Sequence, residues 1–201
     1  MIEQAELQRP SMRHARSHVA ALREGFRRGI QEVMTERRIG EIQANFAAYL
    51  AAITEQSGHI RLPNGEVVPR VPFSLLWLAE GDEFIGEVSI RHKLNAWLLQ
   101  EGGHIGYGIR PSRQGRGYGK RILALALAEC RRLGIGRVLV TCLETNRASA
   151  RIIEVNGGRL ENVIADPSGR GTLRRYWIGL QSEGGPTPES SHQSGKRSPT
   201  Q

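Results

Sequence analysis

The sequence contains little cysteine, few aromatic residues and no cluster of residue types that typically binds a metal. Two cysteines occur among its 201 residues, and aromatic side chains make up 5% of the chain. Cys130 and Cys142 belong to no Cys-x-x-Cys pair and lie near no Cys/His cluster, which excludes the usual spacing of a zinc site. We therefore predict no metal and two buried thiols, Cys130 on a helix and Cys142 on a buried strand.

Long apolar stretches are also missing from the chain. A transmembrane helix needs about 20 consecutive apolar residues, and no run in this sequence approaches that length. Residues 1–16 are mixed and polar, so they lack the apolar core of a secretory signal. These absences predict a cytoplasmic protein with no membrane partner.

Positive charge, in contrast, is abundant and is carried almost entirely by arginine. The formal net charge is +8 and the pI is about 10.3, while lysine occurs only at Lys93, Lys120 and Lys196. A solvated basic surface would explain this charge, and so would a polyanionic ligand such as nucleic acid or a small cofactor with several phosphates. The scarcity of aromatics and the absence of a recognition-helix motif make nucleic acid the less favoured partner.

The spacing of apolar residues divides the chain into three parts. Two groups at helical spacing, separated by Gly40, predict two amphipathic helices within residues 18–55. These groups are Leu22, Phe26, Ile30 and Val33, then Ile42, Phe46, Tyr49, Leu50 and Ile53. We predict a helical segment over 1–56 that packs on the domain, a core over 57–180, and a disordered tail over 181–201, where little can be buried.

Strand and turn signals dominate the core. Residues 57–72 are predicted to form a loop with a turn at Asn64-Gly65 and a short strand at Val67-Val68. A hairpin turning at Gly81-Asp82 follows. The later predicted elements are a strand over 103–109, a helix ending at Gly134, a buried strand over 138–143, a helix over 147–155 and a strand over 173–180. This order predicts a single α/β (α+β) domain with a mixed, mostly antiparallel sheet flanked by helices.

A glycine-rich loop between a strand and a helix carries the strongest functional signal. Residues 114–120 read Gln-Gly-Arg-Gly-Tyr-Gly-Lys. Small residues let backbone N–H groups approach an anion, and the helix N-terminus adds unpaired donors and a partial positive charge. Four cations are expected to add full charges: Arg113, Arg116, Lys120 and Arg121. The segment therefore predicts a phosphate or pyrophosphate cradle.

Three known cradle patterns can be compared with this loop. A Walker A loop fails, because Gln114 replaces its first glycine and Arg121 replaces its Ser or Thr. A dinucleotide fingerprint fails, because Lys120 stands where its last glycine should be. The pattern [QR]-x-x-G-x-[GA] is satisfied in full by residues 114–119.

In its setting, the loop resembles the coenzyme A loop of the GNAT superfamily of N-acetyltransferases. It follows a strand ending in Arg-Pro-Ser, opens an amphipathic helix, and precedes a buried strand and an Asn-x-x-Ser helix start at Asn146. The resemblance covers roughly residues 75–180. Three segments also resemble a group of predicted acetyltransferases: Gly-Glu-x-x-Ile-Arg-His-x-Leu-Asn over 86–95, Gly-Gly-His-Ile-Gly-Tyr over 102–107, and Arg-Arg-Tyr-Trp over 174–177.

The resemblance implies transfer of an acetyl group from acetyl-coenzyme A, used as a co-substrate, to an amine by direct attack without a metal. Such chemistry needs a base for the ammonium proton, a donor for the oxyanion and an acid for the thiolate. It also implies that backbone N–H groups of the loop hold the pyrophosphate and that the strand near residues 107–109 pairs with the pantetheine arm. The implied cofactor-binding residues are Tyr107, Ile109, Gln114, Gly115, Arg116, Gly117, Tyr118, Gly119, Lys120, Asn146 and Ser149.

The catalytic acid departs from the family pattern. Many members carry a tyrosine on the helix after Asn-x-x-[SA], and this register places Ile153 there. Ile153 cannot donate a proton, so the role is vacant or has moved to another residue. Tyr176 is a candidate replacement, as is Tyr107, although a tyrosine with a satisfied hydroxyl in the core is the alternative for both.

The general base is also open at this point. Family members often have a Glu or His early in the strand before the loop, and His104 lies about there. A histidine with a pKa near neutrality could deprotonate an amine directly or through water. Glu101 and Glu87 are rivals, and a purely structural role is the alternative for His104.

Two other functions remain as alternatives. One is a basic nucleic-acid-binding protein, and the other is a family member that binds acetyl-coenzyme A without catalysis. For an enzyme, the predicted partner is a small-molecule or peptide amine. We expect the N-terminal helices either to set substrate choice or to form a homodimer face.

Overall fold

A computed structural model describes residues 2–27, 33–62 and 65–180. Six α-helices are assigned within these ranges: α1 Ala15–Arg23, α2 Glu36–Ala44, α3 Phe46–Thr54, α4 Ala96–Gln100, α5 Tyr118–Arg132 and α6 Arg147–Val155. Nine strands are assigned within them: β1 Glu6–Gln8, β2 His59–Arg61, β3 Val67–Pro69, β4 Phe73–Glu80, β5 Glu83–Arg91, β6 Ile105–Ile109, β7 Arg137–Leu143, β8 Arg159–Ala165 and β9 Thr172–Gly179.

The strands form three antiparallel groups flanked by helices. The largest has the order β1-β4-β5-β6, a second has the order β7-β9-β8, and β2 pairs with β3 in a small hairpin. This arrangement confirms the predicted mixed α/β domain with mostly antiparallel strands. The 4-stranded and 3-stranded sheets meet where β6 begins, beside the middle of β7.

Two apolar clusters cover opposite faces of the 4-stranded sheet. One joins β5, β6, β7 and β9 to helices α5 and α6 and contains Ile122, Leu123 and Tyr176. The other joins α1–α3 to the opposite face of β4 and β5, around Trp77, which stacks on His18 with ring centroids 4.5 Å apart. The helices α1–α3 therefore cover one face and leave the ends of the sheets for the functional site.

The N-terminal helices differ from the predicted pair. Helix α1 ends at Arg23, and Gly25 follows in the left-handed region with φ 91°, so Phe26 lies beyond the helix. Gly40 lies inside α2 rather than at a break. The break falls at Asn45, whose side chain accepts a hydrogen bond from the Ala48 N–H at 3.1 Å and begins α3.

Three strands, β1, β2 and β8, were missed by the sequence analysis. The strand β2 lies in the predicted loop 57–72 and pairs with β3. The strand β1 pairs with β4, although its Glu-Leu-Gln sequence has too little apolar character to signal a strand. The strand β8 pairs with β9 and is exposed over most of its length, so it lacks the alternating burial that marks a typical strand.

Other predictions concern the thiols and the chain segments at the margins. Cys130 and Cys142 are buried as predicted, and burial raises the pKa of their thiols to about 12 and about 11. The predicted positions Ile30 and Asn64 and the tail 181–201 lie outside the described residues. In the part of the chain that the structure describes, no helix has the length and apolar character to cross a membrane.

Candidate active site

The glycine-rich loop forms a backbone cradle at the start of α5. Gly115 and Gly117 have φ of 71° and 90°, which L side chains rarely adopt. Gly117 is the N-cap residue of this 15-residue helix, so the first N–H groups of α5 have no partner within the helix. A Cβ on Gly119 would lie 2.6 Å from Ile152 Cδ1, so a glycine there lets α5 pack closely against α6.

The four predicted cations near the cradle differ in their partners. The Arg113 guanidinium donates to both carboxylate oxygens of Glu83 at 2.6 Å, and Arg121 donates to backbone carbonyls of the N-terminal segment. Arg116 and Lys120 have exposed side chains and no ion pair within the described ranges. Arg113 and Arg121 thus have partners in the protein, and the expectation that all four cations add charge to the cradle stays a prediction.

An ion-pair network fixes the chain just before the cradle. Arg110 donates to Glu24 Oε1 at 2.5 Å, and the Ser112 N–H donates to Glu24 Oε2 at 3.2 Å. The hydrogen bond from Arg110 is the largest cause that lowers the pKa of Glu24 from its ordinary 4.5 to about 2. The network ties the end of α1 to the loop. Glu24 and Arg110 are separated by 86 residues, so no local sequence signal indicates this pair.

Two side chains of the loop serve structural contacts. Tyr118 is buried, and its hydroxyl donates to Glu80 Oε1 at 2.9 Å, so only its backbone faces the cradle. Gln114 donates through Nε2 to the Ile109 carbonyl at 3.0 Å. The cradle itself is therefore built mainly from backbone.

Within the described residues, the strand β6 has no ladder partner on the side away from β5, where the Ile109 carbonyl accepts from Gln114 Nε2 at 3.0 Å. At its two ends, the Arg110 N–H donates to the Ile85 carbonyl and the Arg91 N–H donates to the His104 carbonyl. Since antiparallel hydrogen bonding alternates along a strand, the backbone groups of Tyr107 and Ile109 point to the opposite edge. No ladder joins that edge to β7 in the described residues, and we call it the open edge of β6.

His104 connects the start of β6 to β7. Its backbone N–H donates to the Leu139 carbonyl at 2.8 Å, and the Leu139 N–H donates to its Nδ1 at 3.0 Å. An Nδ1 that accepts places the proton of the neutral ring on Nε2. Burial, and then the charge of Arg91, lower the pKa of His104. These contacts favour a structural role, and its assignment as a base stays a prediction.

Tyr107 and Ser149 bring two hydroxyls together beside the open edge of β6. Their oxygens lie 3.4 Å apart. Asn146 caps α6 by accepting from the Ser149 N–H at 3.0 Å, which places Ser149 in the first turn. Burial is the main cause that raises the pKa of Tyr107 to about 12. The pair therefore holds its protons at neutral pH.

Tyr176 lies deeper in the core. It is 1% exposed, and its hydroxyl donates to Glu154 Oε1 at 3.0 Å near the end of α6. Ile153, at the position of the family tyrosine, is fully buried. Burial raises the pKa of Tyr176. A satisfied core tyrosine describes these contacts, and the catalytic assignment of Tyr176 stays a prediction.

Glu101 fixes the turn between β8 and β9. Its Oε2 accepts from the Ser168 hydroxyl at 2.6 Å, and its Oε1 pairs with Arg170. Arg170 also pairs with Asp166 at 2.6 Å. Burial opposes the charge of Asp166, but the hydrogen bonds from Arg170 and from backbone N–H groups outweigh it, so the pKa of Asp166 is lowered. Since both Glu101 oxygens are engaged, its contacts favour a positioning role over the predicted catalytic one.

The structure thus brings together the cradle, the open edge of β6 and the Tyr107–Ser149 pair. It gives the Tyr176 hydroxyl, both Glu101 oxygens and His104 Nδ1 hydrogen-bond partners of their own. Within the described ranges, no group of three or more His, Cys, Asp or Glu side chains could hold a metal ion. Backbone N–H groups at a helix N-terminus, here in a mixed α/β fold, are groups that bind phosphates in proteins.

Sequence comparison identifies the family. Residues 31–159 match the profile described as "Acetyltransferase (GNAT) domain". This match covers more than half of the chain, so the protein belongs to the GNAT acetyltransferase family, which moves an acetyl group from acetyl-coenzyme A to an amine. The predicted family and acyl-transfer activity are confirmed. No curated protein matches the sequence.

Solved structures agree on the fold. Mycobacterium smegmatis RimJ, in complex with CoA-disulfide, has a TM-score of 0.62 and 16% identity, with 87% of this chain and 81% of that chain covered. The microcin C7 self-immunity acetyltransferase MccE, with acetyl-CoA and AMP, has a TM-score of 0.58 and 14% identity over 88% and 92%. A Salmonella typhimurium acetyltransferase that modifies the N-terminal serine of ribosomal protein L7/L12 has a TM-score of 0.57 and 16% identity over 88% and 95%.

Proposed function

We propose that the cradle at the start of α5 binds the pyrophosphate of acetyl-coenzyme A and that the open edge of β6 binds the pantetheine arm. The observation that carries this is the left-handed conformation of Gly115 and Gly117 at the start of α5. Glycine adopts this conformation readily, and it has no Cβ to stand between the loop backbone and an anion. Arg116 and Lys120 supply exposed positive charge beside it. The cradle therefore fits a pyrophosphate.

The bound co-substrate supplies an acetyl thioester for attack by an amine. Tyr107 is the proposed proton donor to the leaving sulfur, and Ser149 orients its hydroxyl. A raised pKa keeps Tyr107 protonated at neutral pH, as a general acid requires. The carboxylate of Glu87 is buried and accepts from Trp77 Nε1 at 2.9 Å. Glu87, Glu101 and His104 remain the predicted bases, and Glu87 is on the sheet face opposite α5.

The test is calorimetric titration with acetyl-coenzyme A, with ATP and NAD as controls. We expect micromolar binding to acetyl-coenzyme A alone. Gly117→Asp should weaken it at least about 100-fold, because it adds a negative charge and a side chain disfavoured at positive φ. Gly134→Asp is the matched control, since Gly134 also has positive φ (74°) but lies at the other end of α5. Equal loss in both variants, or no binding by the wild type, contradicts the proposal.

Binding and thiol-release measurements on the same protein also distinguish the two alternative functions. Tight binding of acetyl-coenzyme A without thiol release with any amine would favour the non-catalytic family member. Salt-sensitive binding to random duplex DNA, without binding of acetyl-coenzyme A, would favour the nucleic-acid-binding protein. A homodimer, a cytoplasmic location and the domain limits 1–56, 57–180 and 181–201 stay predictions.

A further inference from the structure

Arg91 differs from the other largely buried arginines in its partners. Its Nη1 donates to the carbonyls of Gly102 at 3.1 Å and Gly103 at 3.0 Å, and it has no ion pair within the described ranges. Arg110 and Arg175, whose side chains are 12% and 14% exposed, both pair with glutamates. Arg91 is thus a half-buried cation held by neutral dipoles.

The guanidinium lies over the glycine-lined part of β6. A Cβ on Gly106 would lie 3.9 Å from Arg91 Nη1 and 4.0 Å from Nη2. Gly106 pairs with Ser89 and Gly108 pairs with Glu87, so β6 contributes no side chain to this face. Arg91 follows Ser89 and Glu87 at two-residue intervals along β5, which places all three on the same face.

Burial of a cation without a counter-ion is unfavourable, and burial lowers the pKa of Arg91. Two carbonyl dipoles occupy one end of the guanidinium. The remaining N–H groups form a planar fork that suits a carboxylate in bidentate geometry. The ring of His104 is the titratable neighbour whose pKa the Arg91 charge affects, and a neutral histidine does not compensate the cation.

We propose that Arg91 binds a carboxylate of the amine acceptor. The substrate class is then an amine that also carries a carboxylate, either a free amino acid or a peptide with an acidic residue near its amine. This inference rests on the proposed function, because it places the acceptor on the face of β6 opposite α5. Arg91 acts here as a specificity-determining residue.

The experiment measures binding of matched ligands to the protein saturated with coenzyme A. Alanine is compared with alaninamide, and Ala-Asp-Ala amide with Ala-Asn-Ala amide, by calorimetry. In the wild type, we expect the carboxylate member of one pair to bind at least about 10-fold more tightly, as a charge-assisted bidentate contact provides. The pair that shows the preference distinguishes the α-carboxylate from an acidic side chain.

Arg91→Gln should abolish this preference, so that the two ligands of the pair bind with an affinity ratio of about 1. Arg91→Lys should retain part of the preference. The charge-matched control Arg131→Gln, at an exposed position of α5, should keep the wild-type ratio. Equal binding of both members, or binding of neither, by wild-type protein overturns the proposal, so the conclusion does not depend on whether a variant folds. Acetyl-coenzyme A affinity, measured in parallel, tests the proposed function separately and should be unchanged in Arg91→Gln.

Discussion

The cofactor side and the acceptor side of the candidate site are built in different ways. Seven consecutive residues, 114–120, form the proposed cradle, which relies on backbone N–H groups at a helix start. The proposed acceptor side joins Arg91 of β5 to the carbonyls of Gly102 and Gly103, and Glu101 beside them pairs with Arg170, 69 residues away. A site made from local backbone is visible in a sequence, whereas a site made from distant side chains is not.

The largest effect should be on kcat and should leave cofactor binding unchanged. Tyr107→Phe should lower kcat about 100-fold, because it removes the proposed general acid, while the Kd for acetyl-coenzyme A changes little. Release of free thiol under saturating substrate measures kcat. Tyr49→Phe is the control, since Tyr49 is a buried tyrosine of the N-terminal cluster. Wild-type kcat in Tyr107→Phe together with a loss in Tyr176→Phe would assign the acid to Tyr176 instead.

A smaller effect should appear on the acceptor side alone. Glu101→Gln removes one of the two carboxylate partners of Arg170 and should lower the free energy of unfolding by about 2 kcal/mol, since it breaks a buried charged hydrogen bond. It should also raise KM for the amine and leave acetyl-coenzyme A binding intact. Urea unfolding and calorimetry measure these quantities. The control Glu144→Gln, at an exposed pair with Arg174, should change neither the free energy of unfolding nor KM for the amine. If Glu101→Gln instead causes a pH-dependent loss of kcat at unchanged stability, Glu101 is supported as a base.

The smallest effect concerns acid stability on the cofactor side. The pKa of Glu24 is lowered to about 2 in the folded protein, so its contribution is present above the unfolded value of 4.5 and is lost as pH falls through about 2. After allowance for solvent screening, we expect about 1 kcal/mol. Glu24→Gln should therefore flatten the dependence of unfolding free energy on pH between these values. An unchanged slope would show that the Arg110–Glu24 pair contributes little.

Elements with strong local signals were predictable. The observed helix α6 has the predicted bounds, 147–155, and the hairpin turn at Gly81-Asp82 joins β4 to β5 as expected. Weak local signals failed for a physical reason: β1 and β8 are strands because β4 and β9 offer them partners, not because of their own sequences. The break at Asn45 was missed because the sequence analysis placed the helix break at Gly40. Gly40 lies inside α2, and α3 begins where the Asn45 side chain accepts a hydrogen bond from the Ala48 N–H.

The sequence by itself determined the fold class, the family and the position of the cradle, because apolar periodicity and glycine spacing act over a few residues. The tertiary structure decided which charges remain for a ligand. It directed Arg113 to Glu83 and Glu101 to Arg170, and among the described residues it left Arg91 with carbonyl partners only. Charge pairing depends on distances between segments far apart in the chain, and only folding sets those distances.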